Sequence, residues 1–181
     1  MKPDKTVIYF TVCSGTGYGI IISLLTLLFN AEINIDIALK LIIAFLSYFL
    51  ILSGLLASIL HLGHPERAWR ALSQWKTSWL SREGVAAIFT FIPLTLFFIF
   101  WIFTNIHNIT YFFLIASSFF CILTVYCTAK IYSSLKAIPS WHNPFVPIIY
   151  ILNSIVLGSI ITFTIFFYFN IKINFLSNII V

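Results

Sequence analysis

Five long apolar stretches separated by short polar ones organise the chain, over roughly residues 7–29, 39–61, 84–104, 110–130 and 147–169, each near the 20 residues a helix needs to cross a bilayer core. Lipid offers the backbone no hydrogen bonds, so a spanning segment must satisfy its own N–H and C=O groups, as an α-helix does. The pattern predicts an all-α integral membrane protein, a single membrane domain over residues 1–181 built as a bundle of about five transmembrane helices. The connection at 30–40 is short and carries Glu32 and Asp36. That at 105–108 has no formal charge and predicts a tight hairpin of helices three and four. The second and fourth connections are polar or proline-bearing and share the other side. Pro93 removes a backbone donor inside helix three and predicts a kink. Gly15, Gly17 and Gly19 make a G-x-G-x-G in helix one. Alone that is a weak dinucleotide signal. Inside an apolar span it predicts close approach of a neighbouring helix, with a flat ligand as the alternative.

The second connection breaks the pattern. Residues 61–84 read HLGHPERAWRALSQWKTSWLSREG and hold two of four histidines, three of five tryptophans and two of five acids. His61 ends helix two, and Gly63 can terminate it. Pro65 suits the first position of a new helix, and Glu66 in its first turn meets the helix dipole. Residues 65–75 allow a short amphipathic helix, with Arg67 and Arg70 on one face and Trp69 and Leu72 on another. Such a helix would lie in the membrane interface, with Trp69, Trp75 and Trp79 at headgroup depth. Ser81 is the expected N-cap of helix three, with Glu83 in its first turn.

Composition adds one point: it fixes the solvent. The 181 residues are 61% hydrophobic and 8% charged, against about 25% charged in soluble domains, so most of the surface must face lipid. The net charge of +5 comes from basic residues placed between apolar runs, which argues against a nucleic-acid groove and points to topology signals or an acidic partner. One side carries Lys2, Lys5, Arg67, Arg70, Lys76, Arg82, Lys130 and Lys136; the other carries Lys40 and Lys172. The richer side, with the N-terminus, is expected to be cytoplasmic. Lys2 and Lys5 precede an apolar stretch too long for a signal peptide, with no small-residue cleavage site after it, so a retained first helix is expected. Cys13, Cys121 and Cys127 lie in apolar runs without a C-x-x-C pair, which fits buried packing.

Candidate chemistry concentrates at His61 and Glu83. Each has a structural reading: the imidazole bonding a helix-end carbonyl, the carboxylate complementing the start of helix three or pairing with Arg82. The arginines could serve only as interface anchors. Together, an imidazole and a carboxylate at the membrane edge of adjacent helices are costly and point to function. A quinone needs a flat apolar slot, a donor to its carbonyl oxygen and a nearby proton acceptor; His61 could donate and Glu83 could take or relay a proton. Haem is not expected, because His61 ends a span while His64, His107 and His142 lie in connections. No metal site, Walker loop or nucleophilic triad is evident.

The run LHLGHPERAWRAL followed by SWLSREG resembles the DmsC family, the membrane-anchor subunit of dimethyl sulfoxide reductase. IYSSLKAIPSWHNP (131–144) is similar to that family's connection between helices four and five. The five spans resemble the N-terminal part of the family. The resemblance implies a bacterial inner-membrane protein that anchors a molybdopterin catalytic subunit and an iron–sulfur electron-transfer subunit. It implies oxidation of menaquinol as a diffusible substrate, with no haem or metal bound by this chain. His61 and Glu83 match the family's functional histidine and glutamate, and Gly63 and Arg67 complete the expected quinone-binding set. Arg67, Arg70, Lys76 and Arg82 are the expected partner-docking residues. Anchors of sulfite-oxidising complexes carry similar segments and pass electrons the other way, into quinone. A purely structural anchor and a small transporter are the remaining readings; transport predicts ionisable or broken-helix elements near the midplane, of which there are few.

Overall fold

The computed structural model describes residues 5–33, 35–60, 65–104, 107–171 and 174–175. Among the described residues, five helices are long and apolar enough to cross a membrane: α1 (Lys5–Asn30), α2 (Ile37–Leu60), α3 (Trp79–Phe103), α4 (His107–Ser133) and α5 (Val146–Tyr168). The all-α membrane bundle expected from the apolar pattern is therefore the observed architecture. A 3-10 helix at Pro65–Gln74 follows α2. Residues three apart eclipse in a 3-10 helix, so the three-residue spacing behind the expected faces suits this helix type as well. Beyond the helices, β1 (Ala31–Glu32) pairs antiparallel with β2 (Asn174–Phe175) at one end of the bundle.

Hydrogen bonds between helices establish the up-and-down order. Tyr111, near the start of α4, donates to Leu28 O near the end of α1 at 3.0 Å. Lys40 Nζ, near the start of α2, donates to Trp101 O near the end of α3 at 2.7 Å and lies 5.5 Å from the Trp101 ring centroid. A cation there complements the carbonyl end of α3. The starts of α1, α3 and α5 and the ends of α2 and α4 thus share one end of the bundle. Mid-span, Tyr48 and Thr95 join α2 to α3 at 2.7 Å, and Ser23 and Thr162 join α1 to α5 at 2.8 Å.

α1 is the central helix, packed on α2, α4 and α5, while α3 lies along α4 as the predicted hairpin. Glycine sets two of these distances. Successive residues turn by about 100°, so Gly15 and Gly19 share a face and Gly17 lies on the opposite one. A Cβ on Gly17 would stand 2.6 Å from Ile51 Cγ1 of α2, and one on Gly54 would stand 2.7 Å from Ser14 N. A Cβ on Gly19 would overlap the Ser154 carbonyl of α5, and one on Gly158 would overlap the Gly19 backbone. The G-x-G-x-G therefore admits helices, as small residues do where lipid provides no hydrophobic drive to associate.

Helix three differs from expectation at its start. It begins at Trp79, with extended Ser78 as N-cap, and Arg82 N bonds Ser78 O at 3.1 Å. Ser81 is thus not the cap but a buried residue within the helix, and Glu83 lies beyond the first turn. The polar run at 81–84 does not end the span because its charges leave the lipid in opposite directions. Arg82 reaches back, donating from Nε to Trp75 O (2.9 Å) and from Nη2 to Lys76 O (2.7 Å), with Cζ 4.3 Å from the Trp79 centroid. Glu83 turns into the bundle. Leu72 of the 3-10 helix packs over Gly84, which ties that segment to α3. Pro93 is buried inside α3, which continues through it to Phe103.

Candidate functional site

Glu83 is 3% exposed. Its Oε1 lies 2.5 Å from Thr128 Oγ1 of α4, and the same hydroxyl lies 3.0 Å from Thr124 O in its own helix. A hydroxyl carries one proton and two lone pairs, so it cannot fully serve both acceptors at once. It can serve each in turn. With Glu83 ionised, Thr128 donates to the carboxylate. With Glu83 protonated, the carboxyl donates to Thr128 Oγ1, and Thr128 turns its proton to Thr124 O. The carboxyl keeps a partner in both protonation states. A buried polar group without one is costly, so this arrangement suits a group that gains and loses a proton. Thr124 continues the polar seam to Thr90 of α3 at 3.1 Å.

Thr128 also walls a cavity of about 260 Å³ between α1, α4 and α5. Its lining runs Thr11, Val12, Ser14, Gly15, Thr16 and Tyr18 from α1, Val125 and Thr128 from α4, and Tyr150, Asn153, Ser154 and Leu157 from α5. Most of its hydroxyl protons are committed to helix carbonyls. Ser14 donates to Phe10 O at 2.7 Å, Thr16 to Val12 O at 2.6 Å and Ser154 to Gly15 O at 2.5 Å. Thr11 bonds Val7 O and Ile8 O. The Tyr18 hydroxyl, fully buried, has no hydrogen-bond partner among the described residues. Tyr150 stacks on Tyr132 (5.6 Å, 30°), and Tyr132 meets Trp141 edge-on (5.3 Å, 89°). The 134–145 connection is folded back over the end of α4, where His142 Nδ1 lies 2.9 Å from Ser133 O.

Of the residues singled out in the sequence, Glu83 is thus placed in the interior at the cation-rich end of the bundle. His61, His64 and Gly63 lie outside the described residues, as does the side chain of Arg67. Arg70 and Lys76 are exposed, Arg70 Cζ 5.6 Å from the Trp69 centroid and Lys76 Nζ 5.9 Å from that of Trp75. Arg82 holds the turn before α3. Lys130 Nζ approaches the Trp79 ring as well, at 5.5 Å. Neither Thr128 nor Tyr18 stood out in the sequence. A signal for the first exists: Ser117, Cys121, Thr124 and Thr128 recur at helical spacing and are all buried. Small polar residues on one stripe of an apolar span face other helices rather than lipid. A single tyrosine in an apolar run carries no such signal.

The family described as DMSO reductase anchor subunit (DmsC) matches residues 1–181. A sulfite dehydrogenase subunit of Allochromatium vinosum, the one designated C, is 29% identical over 167 residues, covering 80% of this chain and 49% of that protein. The chain therefore spans about half the length of this curated relative. No solved structure matches it. A match over all 181 residues to one family, carried on a five-helix membrane bundle, means that the chain belongs to the DMSO reductase anchor subunit (DmsC) family.

Proposed function

We propose that the chain is the quinone-reactive membrane anchor of a molybdopterin/iron–sulfur oxidoreductase of dimethyl sulfoxide reductase type, in a bacterial inner membrane. Menaquinol is its diffusible substrate, an iron–sulfur subunit its electron partner, and a molybdopterin subunit the place where the terminal substrate reacts. The observation that carries this reading is Glu83, buried in the bundle yet partnered by Thr128 in either protonation state. Oxidising a quinol breaks two O–H bonds, turns both ring oxygens into carbonyls and releases two protons and two electrons. Glu83 takes one proton as general base. His61 holds a ring oxygen and takes the other, and Gly63 and Arg67 complete the binding set. The electrons pass to the iron–sulfur subunit.

The similarity to a sulfite dehydrogenase subunit favours a second direction of flow. In that direction the iron–sulfur partner delivers two electrons to quinone, and Glu83 and His61 each return one proton to a ring oxygen, as microscopic reversibility requires.

The cation-rich end, proposed as cytoplasmic with the N-terminus, docks the iron–sulfur subunit. Arg67, Arg70 and Lys76 offer charge to an acidic partner surface, beside Arg82. An affinity-tagged chain purified from its native membrane is expected to bring down an iron–sulfur protein and a molybdopterin protein. The double reversal Arg70→Glu with Lys76→Glu is expected to release both while leaving the anchor in the membrane. Purification of the wild-type chain free of any iron–sulfur protein contradicts the anchor role; full retention by the double variant contradicts this docking surface.

A further inference from the structure

α5 is the least buried of the five spans. Ser154, Gly158, Thr162 and Phe166, four residues apart, turn one face of it into the bundle. Across the helix lie Ile149, Asn153, Val156, Ile160, Phe163 and Phe167, all exposed. Their spacing alternates four and three, the seven-residue repeat of a two-stranded coil. Spacing alone settles nothing, because a lipid-facing stripe on any helix shows it. The exposed stripe of α2 has it too, through Phe45, Phe49, Leu52 and Leu56, and is apolar. The α5 stripe differs by one amide. Asn153 lies about 10 Å along the helix from Val146, inside a hydrocarbon core of about 30 Å. The hydroxyls of Thr162 and Thr164 bond carbonyls one turn back in their own helix. The Asn153 amide has no hydrogen bond among the described residues. It borders the cavity between α1, α4 and α5 yet remains exposed. Lipid offers it no partner, so an amide left against acyl chains is costly.

We propose that this face of α5 binds the same face of a second copy of the chain, with the two Asn153 side chains hydrogen-bonded to each other across a two-fold axis. Chemistry selects the occupant. Copies inserted in the same orientation carry Asn153 at the same depth. A two-fold axis along the membrane normal then sets each residue of the seam against its own copy. An amide holds both a donor and an acceptor, so it is its own complement. One asparagine at a core position of the repeat fixes two parallel strands in register. Ile160 occupies the same repeat position one heptad on, where β-branched residues favour two strands. The pairing goes beyond the quinone reading and does not depend on it.

Cysteine cross-linking of the affinity-tagged chain in its native membrane tests the pairing. Val156→Cys places a thiol in the seam, one turn from Asn153, where it meets its own copy. Phe45→Cys places one on the apolar stripe of α2 instead. Membranes are oxidised with copper phenanthroline, and the tagged chain is followed on a non-reducing gel. Val156→Cys is expected to give a band at twice the mass of the chain. Phe45→Cys and the wild type, which has its own three free cysteines, are expected to give none. Asn153→Ala added to Val156→Cys is expected to weaken pairing about tenfold over a lipid-dilution series, the scale of one hydrogen bond between membrane helices. Absence of the doubled band in Val156→Cys overturns the inference. Equal cross-linking through Phe45→Cys also overturns it, since random collision then explains the band. A Val156→Cys product of any other mass shows a different polypeptide on this face and overturns the self-pairing. Undiminished pairing in Asn153→Ala removes the amide that selects the occupant, and the inference with it.

Discussion

Glu83→Gln is expected to lower quinol oxidation by the assembled complex about 10²- to 10⁴-fold, the range over which a positioned general base acts. The substitution keeps size and hydrogen bonding but removes the site that accepts a proton. The glutamine amide can still pair with Thr128, so assembly and helix packing should persist. That separation matters, because a buried carboxyl could also serve packing alone. Thr128→Val and Thr128→Ser sharpen the distinction. Valine leaves Glu83 without its partner and is expected to cost about 1–3 kcal/mol of stability as well as activity. Serine restores the hydroxyl and should recover both. Steady-state oxidation of menadiol, beside a thermal or detergent unfolding curve, checks the set. Wild-type rates in Glu83→Gln would remove the carboxyl from the chemistry.

The second large effect is structural. Gly19→Ala and Gly158→Ala each put a methyl group onto the backbone of the facing helix, where no side chain can turn aside. Each is expected to cost about 3 kcal/mol or more, the upper end of overpacking, and to loosen α5 from α1. Gly15→Ala is the internal control. Its Cβ would meet only Ser154 Cβ, at 4.0 Å. It should be tolerated, with up to about 1 kcal/mol gained from helix propensity. Denaturant titration in mixed micelles, followed by circular dichroism, ranks the three. Equal stability of all three would mean that α1 and α5 are not held at glycine distance.

The spans were legible because a membrane imposes one demand, an apolar stretch of sufficient length, and the chain meets it five times. Element ends were less legible where polarity and helicity diverge. The run at 81–84 reads as a boundary by composition, yet it is helical because Arg82 folds outward onto two carbonyls while Glu83 folds inward onto Thr128. Glu83 stood out from sequence together with His61, as an imidazole and a carboxylate at the membrane edge of adjacent helices. Its partner did not, because a threonine in an apolar helix is ordinary until a facing helix is known. Tyr18 shows the same limit: that its buried hydroxyl has no hydrogen-bond partner among the described residues is revealed only by packing. The three glycines of α1 were legible as a close-approach motif, but not as a motif of two faces serving two helices.

The proposed role stands or falls on whether quinol bound to this chain passes its electrons to the iron–sulfur partner. Rapid mixing of menadiol with the oxidised complex, following the visible bleaching of the partner's clusters, measures that transfer. Cluster reduction is expected at a rate that saturates with menadiol and collapses in Glu83→Gln. Reduction at the same rate by the partner subunits alone, without this chain, would contradict the role.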